Sequence, residues 1–511
     1  MNHSDPLSPR PRANFDNVAT LDADDVQDLA TKITGPTLTP HDEQYDVERT
    51  GNQTARMHRP AIIVGATGAP DVQTAIAFAR DRGLAVAVQG TGHASAAVAA
   101  HDGMLINTTR MKGFRLDEHA SSAWVSAGTR WDQILDDAAT VGLAPLSGSA
   151  PHIAAVPYTL GGGLGLLSRR YGYAADHVRS LDVVTADGNL QRVTSSTEPD
   201  LFWALRGGRD NFGVVTAMEI GLVPVTSLYG GGLFFPATSA ATVFETYVQW
   251  TATVPDEMSS SIALISYPDA PALPEQLRGR HIVHLRIAYL GNLDRGTSLV
   301  APLRALGPLI DTVAPIPYTK AGSVHNDPAM PGSFEAETAM LGERGNSAVH
   351  ALLEVAGPHA QVPHVVEIRH LGGQLARLPA TANAVGHRHA RYVINVISRL
   401  ERADISEIRP AHKRVLDAIN RWVTTGRSLN FMNGNGAAVH TPAAYSPADY
   451  QRLRELKAIY DPHNMFRHNH NIPPSPPHGG RSTERTPRAR GLAPQAHWSD
   501  RCDNGHPRER A

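Results

Sequence analysis

Two glycine-rich segments about seventy residues apart hold the residues best placed by type and spacing to do chemistry: VQGTGHASA at 88–96 and YTLGGGLGLLSRRYGY at 158–173. A backbone approaches a pyrophosphate closely only where side chains are absent, and successive amide N–H groups then make an anion-binding nest. Gly90, Gly92 and the run Gly161, Gly162 and Gly163 supply such stretches, each after an apolar segment, Leu84 to Val88 and Ile153 to Val156. His93 stands at the end of the first loop, and a neutral imidazole is a good nucleophile near pH 7. A GGGLG string by itself fits many turns. The nicotinamide fingerprint G-x-G-x-x-G belongs in the first βα turn of a doubly wound domain, with an acidic residue ending the second strand. Here the triplet lies some 160 residues in and runs into SRRYGY, so that context is missing.

Periodicity supplies the elements that carry these loops. From Asp71 to Arg80, Val72, Ile76 and Ala79 share one helical face and Gly83 suits the C-terminal cap; Leu84 to Val88 is then a short strand. Segments 180–186 and 189–193 flank an Asp187-Gly188 hairpin turn, and Asp200 to Leu205 reads as a helix ending near Gly207-Gly208. After Val225 apolar runs at 281–289, 365–370 and 391–398 read as strands, separated by helices such as 241–252 and 409–423. On the strand VEIRH, Glu367 and Arg369 share one face, Ile368 and His370 the other, and Tyr392 lies three residues before Asn395, on the opposite side of an ideal strand. A last helix in 450–460 presents Leu453, Leu456 and Ile459, and Asp461-Pro462 ends it.

In order along the chain, RPAIIVGATGAPDVQTAIAFARDRGLAVAVQGTGH (59–93), GMLINTTRMKGFRLD (103–117), AWVSAGTRWDQIL (123–135), GSAPHIAAVPYTLGGGLGLLSRRYG (148–172), DHVRSLDVVTADGNL (176–190) and PDLFWALRGGRDNFGVVTAMEIGLVPV (199–225) resemble the FAD-binding domain of the p-cresol methylhydroxylase and vanillyl-alcohol oxidase superfamily. YQRLRELKAIYDPHNMFRHNHNIPP (450–474) resembles the closing segment of its berberine bridge enzyme branch. The resemblance implies an α+β fold: a PCMH-type FAD-binding domain of two α/β subdomains, plus a substrate domain with an antiparallel sheet covered by helices and lying over the flavin. The expected organisation is an N-terminal segment (1–58), partly disordered and then a helical lead-in, the FAD domain (59–225), the substrate domain (226–440) and a segment returning to the FAD domain (441–474). The Pro-, Arg-, Gly- and Ser-rich tail at 475–511 has too few apolar residues to offset the entropy of ordering and reads as disordered.

The resemblance also implies a cofactor, FAD, bonded once through His93, because relatives join this histidine to the flavin 8α-methyl carbon. Many attach it a second time through a cysteine before a proline; that position is Ala150 here, which excludes a second bond. Cofactor contacts are expected at Gly90, Thr91, Gly92, Ala94, Ser95, Ala150, Ile153, Tyr158, Gly161, Gly162, Gly163, Gly165, Val214, Asn464, Phe466, Asn469 and Asn471. Ile153 falls where relatives place an oxygen gatekeeper, which leaves oxidase and dehydrogenase both open. Oxidation of an alcohol or amine needs hydride transfer to the flavin and removal of an O–H or N–H proton. The two places where the family keeps its base hold Ser428 and Asn395, neither competent at neutral pH. Tyr158 and His370 are the remaining catalytic candidates, with Glu367, Arg369, Tyr392, Asn395 and Ser428 on the substrate side. A substrate that needs no enzymatic base is the other option.

With 511 residues, 41% hydrophobic and 19% charged, the chain suits an ordinary globular protein of two domains. A formal net charge of −2 and no basic stripe give no electrostatic case for nucleic acid or an anionic membrane. Cys502 is the only cysteine, so no internal disulfide or cysteine metal site exists. The pairs His387/His389 and His468/His470 have metal-ligand spacing, yet no third ligand is identifiable and no metal is expected among the 25 histidines. The polar N-terminus and the lack of a long apolar run make a cytoplasmic protein the default. The expected function is an FAD-dependent oxidoreductase that takes hydride from an alcohol or amine carbon of a small molecule, a secondary metabolite or carbohydrate, and is reoxidised by O2 or another acceptor. The alternative is a flavin-binding protein without net oxidation, serving a redox-neutral rearrangement or as a scaffold, which loss of both base positions favours.

Overall fold

The computed structural model describes residues 21–93, 102–342, 346–434 and 437–476, and the described residues up to Ser475 form a first compact unit. Disorder expected at the start of the chain and in the tail lies outside the described residues, as do Ala94 and Ser95. Among the described residues no helix is long and apolar enough to cross a membrane.

Three sheets make up the first unit. β1 (Thr37–Leu38), β2 (Ile62–Gly65), β3 (Ala85–Gln89) and β4 (Gly103–Asn107) form a four-stranded sheet in the order β1-β2-β4-β3, with β2, β4 and β3 parallel. Their nearly continuous apolar runs fit strands covered on both faces: Ile62, Val64 and Ile106 pack with Val72, Ile76 and Ala79 of the helix Ala69–Asp81, while Ile63, Ala87 and Leu105 pack with Leu38 and Tyr45 on the other side. Gly83 follows that helix with φ +66°, as its capping role requires.

β5 (Phe114–Asp117), β6 (Ser122–Ser126), β7 (Val178–Val184), β8 (Leu190–Val193) and β9 (Val214–Gly221) form an antiparallel sheet ordered β5-β6-β9-β7-β8. Gly188, at φ +84°, closes the β7–β8 hairpin. The helix Pro199–Gly208 kinks at Arg206 and Gly207, which turns the chain toward Arg209 and Asp210.

The third sheet is antiparallel and eight-stranded: β10 (Ser227–Pro236), β11 (Met258–Ser266), β12 (His281–Tyr289), β13 (Ile310–Asp311), β14 (Ala314–Pro317), β15 (Phe334–Leu341), β16 (Val365–His370) and β17 (Tyr392–Arg399), ordered β13-β10-β12-β11-β16-β17-β15 with β14 also on β10. Its faces differ sharply. Ile262, Leu264, Leu285, Ile368, Ile394 and Val396 make an apolar layer with Phe244, Tyr247, Val349 and Val415, which lie on the helices Ala240–Thr251, Asn346–Ala356 and Ile405–Ala418. The alternate positions carry Ser261, His284, Arg286, Glu367, Arg369 and Asn395, all on the face away from those helices.

Two sequence expectations need correction. The helix expected from 409 begins at Ile405, because Asp404 caps it by accepting from Ser406 N at 2.8 Å and Glu407 completes a capping box; it ends at Ala418, short of 423. In the helix Pro447–Tyr460, Leu453 and Leu456 are buried as expected but Ile459 is 68% exposed. Lys457 takes the inward place, its position fixed by spacing from Leu453. Its buried ammonium meets Asp461 at 2.7 Å and donates to the Asn211 and Phe466 carbonyls. Asp461 in turn accepts from Met465 N and Phe466 N, which fixes the closing segment.

Candidate active site

Between the first two sheets and the polar face of the third lies a cleft with about 1350 Å³ of empty space, solvent-open part included. β3 delivers its first wall, Gln89 to His93. Asn52 N donates to the Thr91 carbonyl and Gln53 N to the Gly92 carbonyl, both at 2.9 Å, and Gly92 has φ +64° against the Gly51 backbone. The loop is thus pinned from outside. His93 Nδ1 lies 3.0 Å from Thr91 Oγ1, and its Nε2 is buried without a hydrogen-bond partner. Burial, with His152 nearby, lowers its pKa to about 4, so the ring is neutral at pH 7.

The second wall is 148–164, where Gly148, Ser149, Ile153, Val156, Pro157, Tyr158, Leu160 and Leu164 face the cleft. Tyr158 stands edge-on to Trp131, ring centroids 5.7 Å apart. A Cβ at Gly148 would come within 2.9 Å of its ring and one at Gly163 within 2.7 Å. Its Oη is buried without a partner, and burial pushes the phenol well above its ordinary range. Asn430 donates to the Tyr158 carbonyl at 3.0 Å, and a Cβ at Gly161 would run into its Oδ1. None of the triplet Gly161–Gly163 lines the cleft; the missing side chains of Gly161 and Gly163 make room for Asn430 and Tyr158 respectively.

Arg209, Asp210, Val215, His468, Asn469 and His470 close the inner end. His470 Nε2–H donates to the Met432 carbonyl at 2.8 Å, leaving Nδ1 to accept from Arg209 at 3.2 Å; burial and that guanidinium lower its pKa to about 3. The third wall is Arg369 with Phe431, whose ring lies under the guanidinium at 4.9 Å. Arg369 Nε donates to Glu367 Oε2 at 2.8 Å.

Of the expected cofactor residues, Gly90, Thr91, Gly92, His93, Ile153, Tyr158 and Asn469 line this cleft. Ala150 is buried beside it, Val214 points into the core while its neighbour Val215 faces the cleft, and Gly165 lines a smaller adjoining cavity. Phe466 is core; Asn464, at φ +52°, and Asn471 do not line the cleft, although each keeps a buried, unpartnered Oδ1. His370 borders the smaller cavity and meets Arg169 Nη1 at 3.1 Å. Tyr392 bonds Thr251 Oγ1 at 2.7 Å on the helix-covered face, Ser428 lines a separate cavity, and Asn395 is buried opposite Glu367 on the neighbouring strand. His58, Arg209, Asp210, His468 and His470 were not among the expected contacts. Among the described residues no group of three or more His, Cys, Asp or Glu is placed to hold a metal.

The cleft fits FAD. Five buried polar atoms of its lining, His93 Nε2, Tyr158 Oη, Asn430 Oδ1, His468 Nε2 and Asn469 Oδ1, lack partners among the described residues. An unsatisfied buried group costs about 1–3 kcal/mol, so a ligand bearing both donors and acceptors belongs among them, as an isoalloxazine and its ribityl chain do.

Comparison with known proteins agrees. Residues 60–194 match the family model described as FAD binding domain, and residues 429–473 the one described as berberine and berberine like. The (R)-6-hydroxynicotine oxidase of Paenarthrobacter nicotinovorans is 31% identical over 467 residues, spanning 87% of this chain and 98% of the relative. The solved 6-hydroxy-D-nicotine oxidase of Arthrobacter nicotinovorans superposes with a TM-score of 0.75 at 24% identity, over 87% of this chain and 98% of that one. Berberine bridge enzyme of Eschscholzia californica superposes with a TM-score of 0.75 at 17% identity, over 88% and 99%. Fold, cleft and relatives together define a flavoenzyme, an FAD-linked oxidoreductase. Within that class the chain belongs to the berberine bridge enzyme-like family of FAD oxidases.

Proposed function

We propose that the protein holds FAD covalently through His93 and oxidises an alcohol or amine carbon of a small molecule, with O2 or another acceptor taking the electrons. The observation that carries this reading is His93 itself: neutral, held at Nδ1 by Thr91, with Nε2 the one ring atom left for a bond. Such a bond would replace one hydrogen of the 8α-methyl, a net two-electron oxidation for which the electron acceptor would serve as oxidant. Bound FAD supplies the hydride acceptor of the reaction.

The chain's own groups then orient substrate and exclude water. Tyr158 is the group proposed to hold the bound substrate in the cleft. Kept protonated by burial, it acts as a hydrogen-bond donor. An amine entering as its free base needs no further proton acceptor. His370, bordering the smaller cavity against Arg169, is the weaker candidate. The test is anaerobic bleaching of the flavin by a panel of secondary amines, alcohols and oligosaccharides, followed by peroxide detection in air. Bleaching by an amine or alcohol supports the reading; a bound flavin that no member of the panel reduces contradicts it.

A further inference from the structure

Arg369 is mostly buried, yet its guanidinium is only half used. Nε is taken by Glu367; Nη1 and Nη2 donate to no protein atom among the described residues, and the residue lines the cleft. Neither nearby carboxylate accepts from Nη1 or Nη2, although both charges act on Arg369. Glu367 Oε1 already accepts from Arg286 Nη1 at 2.6 Å and Ser261 Oγ at 3.1 Å, and Asp327 accepts from Ser149 Oγ at 2.6 Å. Phe431 below the guanidinium and Glu367 behind it fix the planar fork. Tyr158 Oη, a lone donor, lines the same cleft and lies within the electrostatic reach of Arg369.

We propose that Arg369 and Tyr158 form an anchor for a carboxylate, so that the substrate is an alcohol or amine that also carries an acidic group. The proposal rests on the reading that the flavin occupies this cleft. A fixed fork with two free N–H groups matches a carboxylate in bidentate geometry, and the phenol adds a third donor. An ammonium at the same place is repelled by the arginine, so an amine substrate enters with its nitrogen neutral or turned away.

Benzoate and the uncharged benzamide serve as probes of the FAD-loaded enzyme, read by the visible flavin spectrum and by the thermal midpoint. The expected result is a saturable response to benzoate and none to benzamide. Arg369→Met weakens benzoate about 10- to 100-fold, as loss of charge-assisted hydrogen bonds predicts, Arg369→Lys less so, and Tyr158→Phe about 2- to 10-fold. Arg286 remains to pair with Glu367 in Arg369→Met, which protects folding; Tyr158→Phe carries the test independently. Equal affinity in Arg369→Met, an equal response to benzamide, or no response of either readout to benzoate overturns the anchor. A thermal response that depends on Arg369 without any spectral change sustains the anchor and contradicts the flavin's place beside it.

Discussion

Arg286 on β12 and Glu367 on β16 are separated by a whole strand, β11, yet Arg286 Nη1 reaches Glu367 Oε1 at 2.6 Å. Ser261 on the intervening strand donates to the same oxygen, Arg369 takes the other, and His325 lies 3.4 Å away. The two guanidinium groups hold the Glu367 carboxyl well below the ordinary carboxylate range against the opposing cost of burial. Glu367 is thereby a fixed anion that orients Arg369, and it is unfit as the proton acceptor of the reaction.

Glu367→Gln leaves Arg286 and Arg369 on one buried face with no carboxylate between them. Breaking a buried pair in this way costs about 3–5 kcal/mol. Chemical denaturation of the variant should show a loss in that range; a loss below about 1 kcal/mol contradicts the network's structural role.

Gly163→Ala tests the support of Tyr158. Its φ of +76° and the 2.7 Å approach to the ring make any side chain both strained and obstructive. Gly83→Ala is the control, since φ there is +66° with nothing within 4 Å of the added carbon. The backbone term alone costs about 1–2 kcal/mol. Gly163→Ala should lose more stability than the control, whereas equal losses contradict the packing argument.

Acid should destabilise the protein early. Burial lowers His58, His364, His412 and His468 to about 4 and His470 to about 3, below the ordinary 6.5. Between pH 6.5 and these values the unfolded chain binds protons that the folded chain refuses, so stability is full above 6.5 and falls with pH. Each group contributes up to about 1.4 kcal/mol per pH unit. A thermal midpoint that declines steeply from pH 7 to 5 is expected; a flat profile over that window contradicts the buried neutral state.

Legibility in the sequence followed periodicity. The runs at 281–289 and 365–370 became β12 and β16 with those bounds, and the alternation of Glu367 and Arg369 against Ile368 placed the polar face correctly because a strand has period two. Ile459 looked apolar and inward, but helical spacing gave the place to Lys457, whose charge is met by Asp461. The glycine triplet was visible as a motif while its use was not, since the side chains it accommodates, Tyr158 and Asn430, come from different segments. His58 and Arg209 reach the cleft only through loop paths and a kinked helix, which leave no periodic signal.

The central claim is a flavin bonded to His93, and trypsin isolates that residue in the peptide Gly83–Arg110. The denatured, digested protein should yield this peptide with the flavin attached, fragmentation should place it on His93 and not His101, and His93→Ala should release all colour on acid precipitation. Complete release of flavin from the unmodified protein would contradict the account.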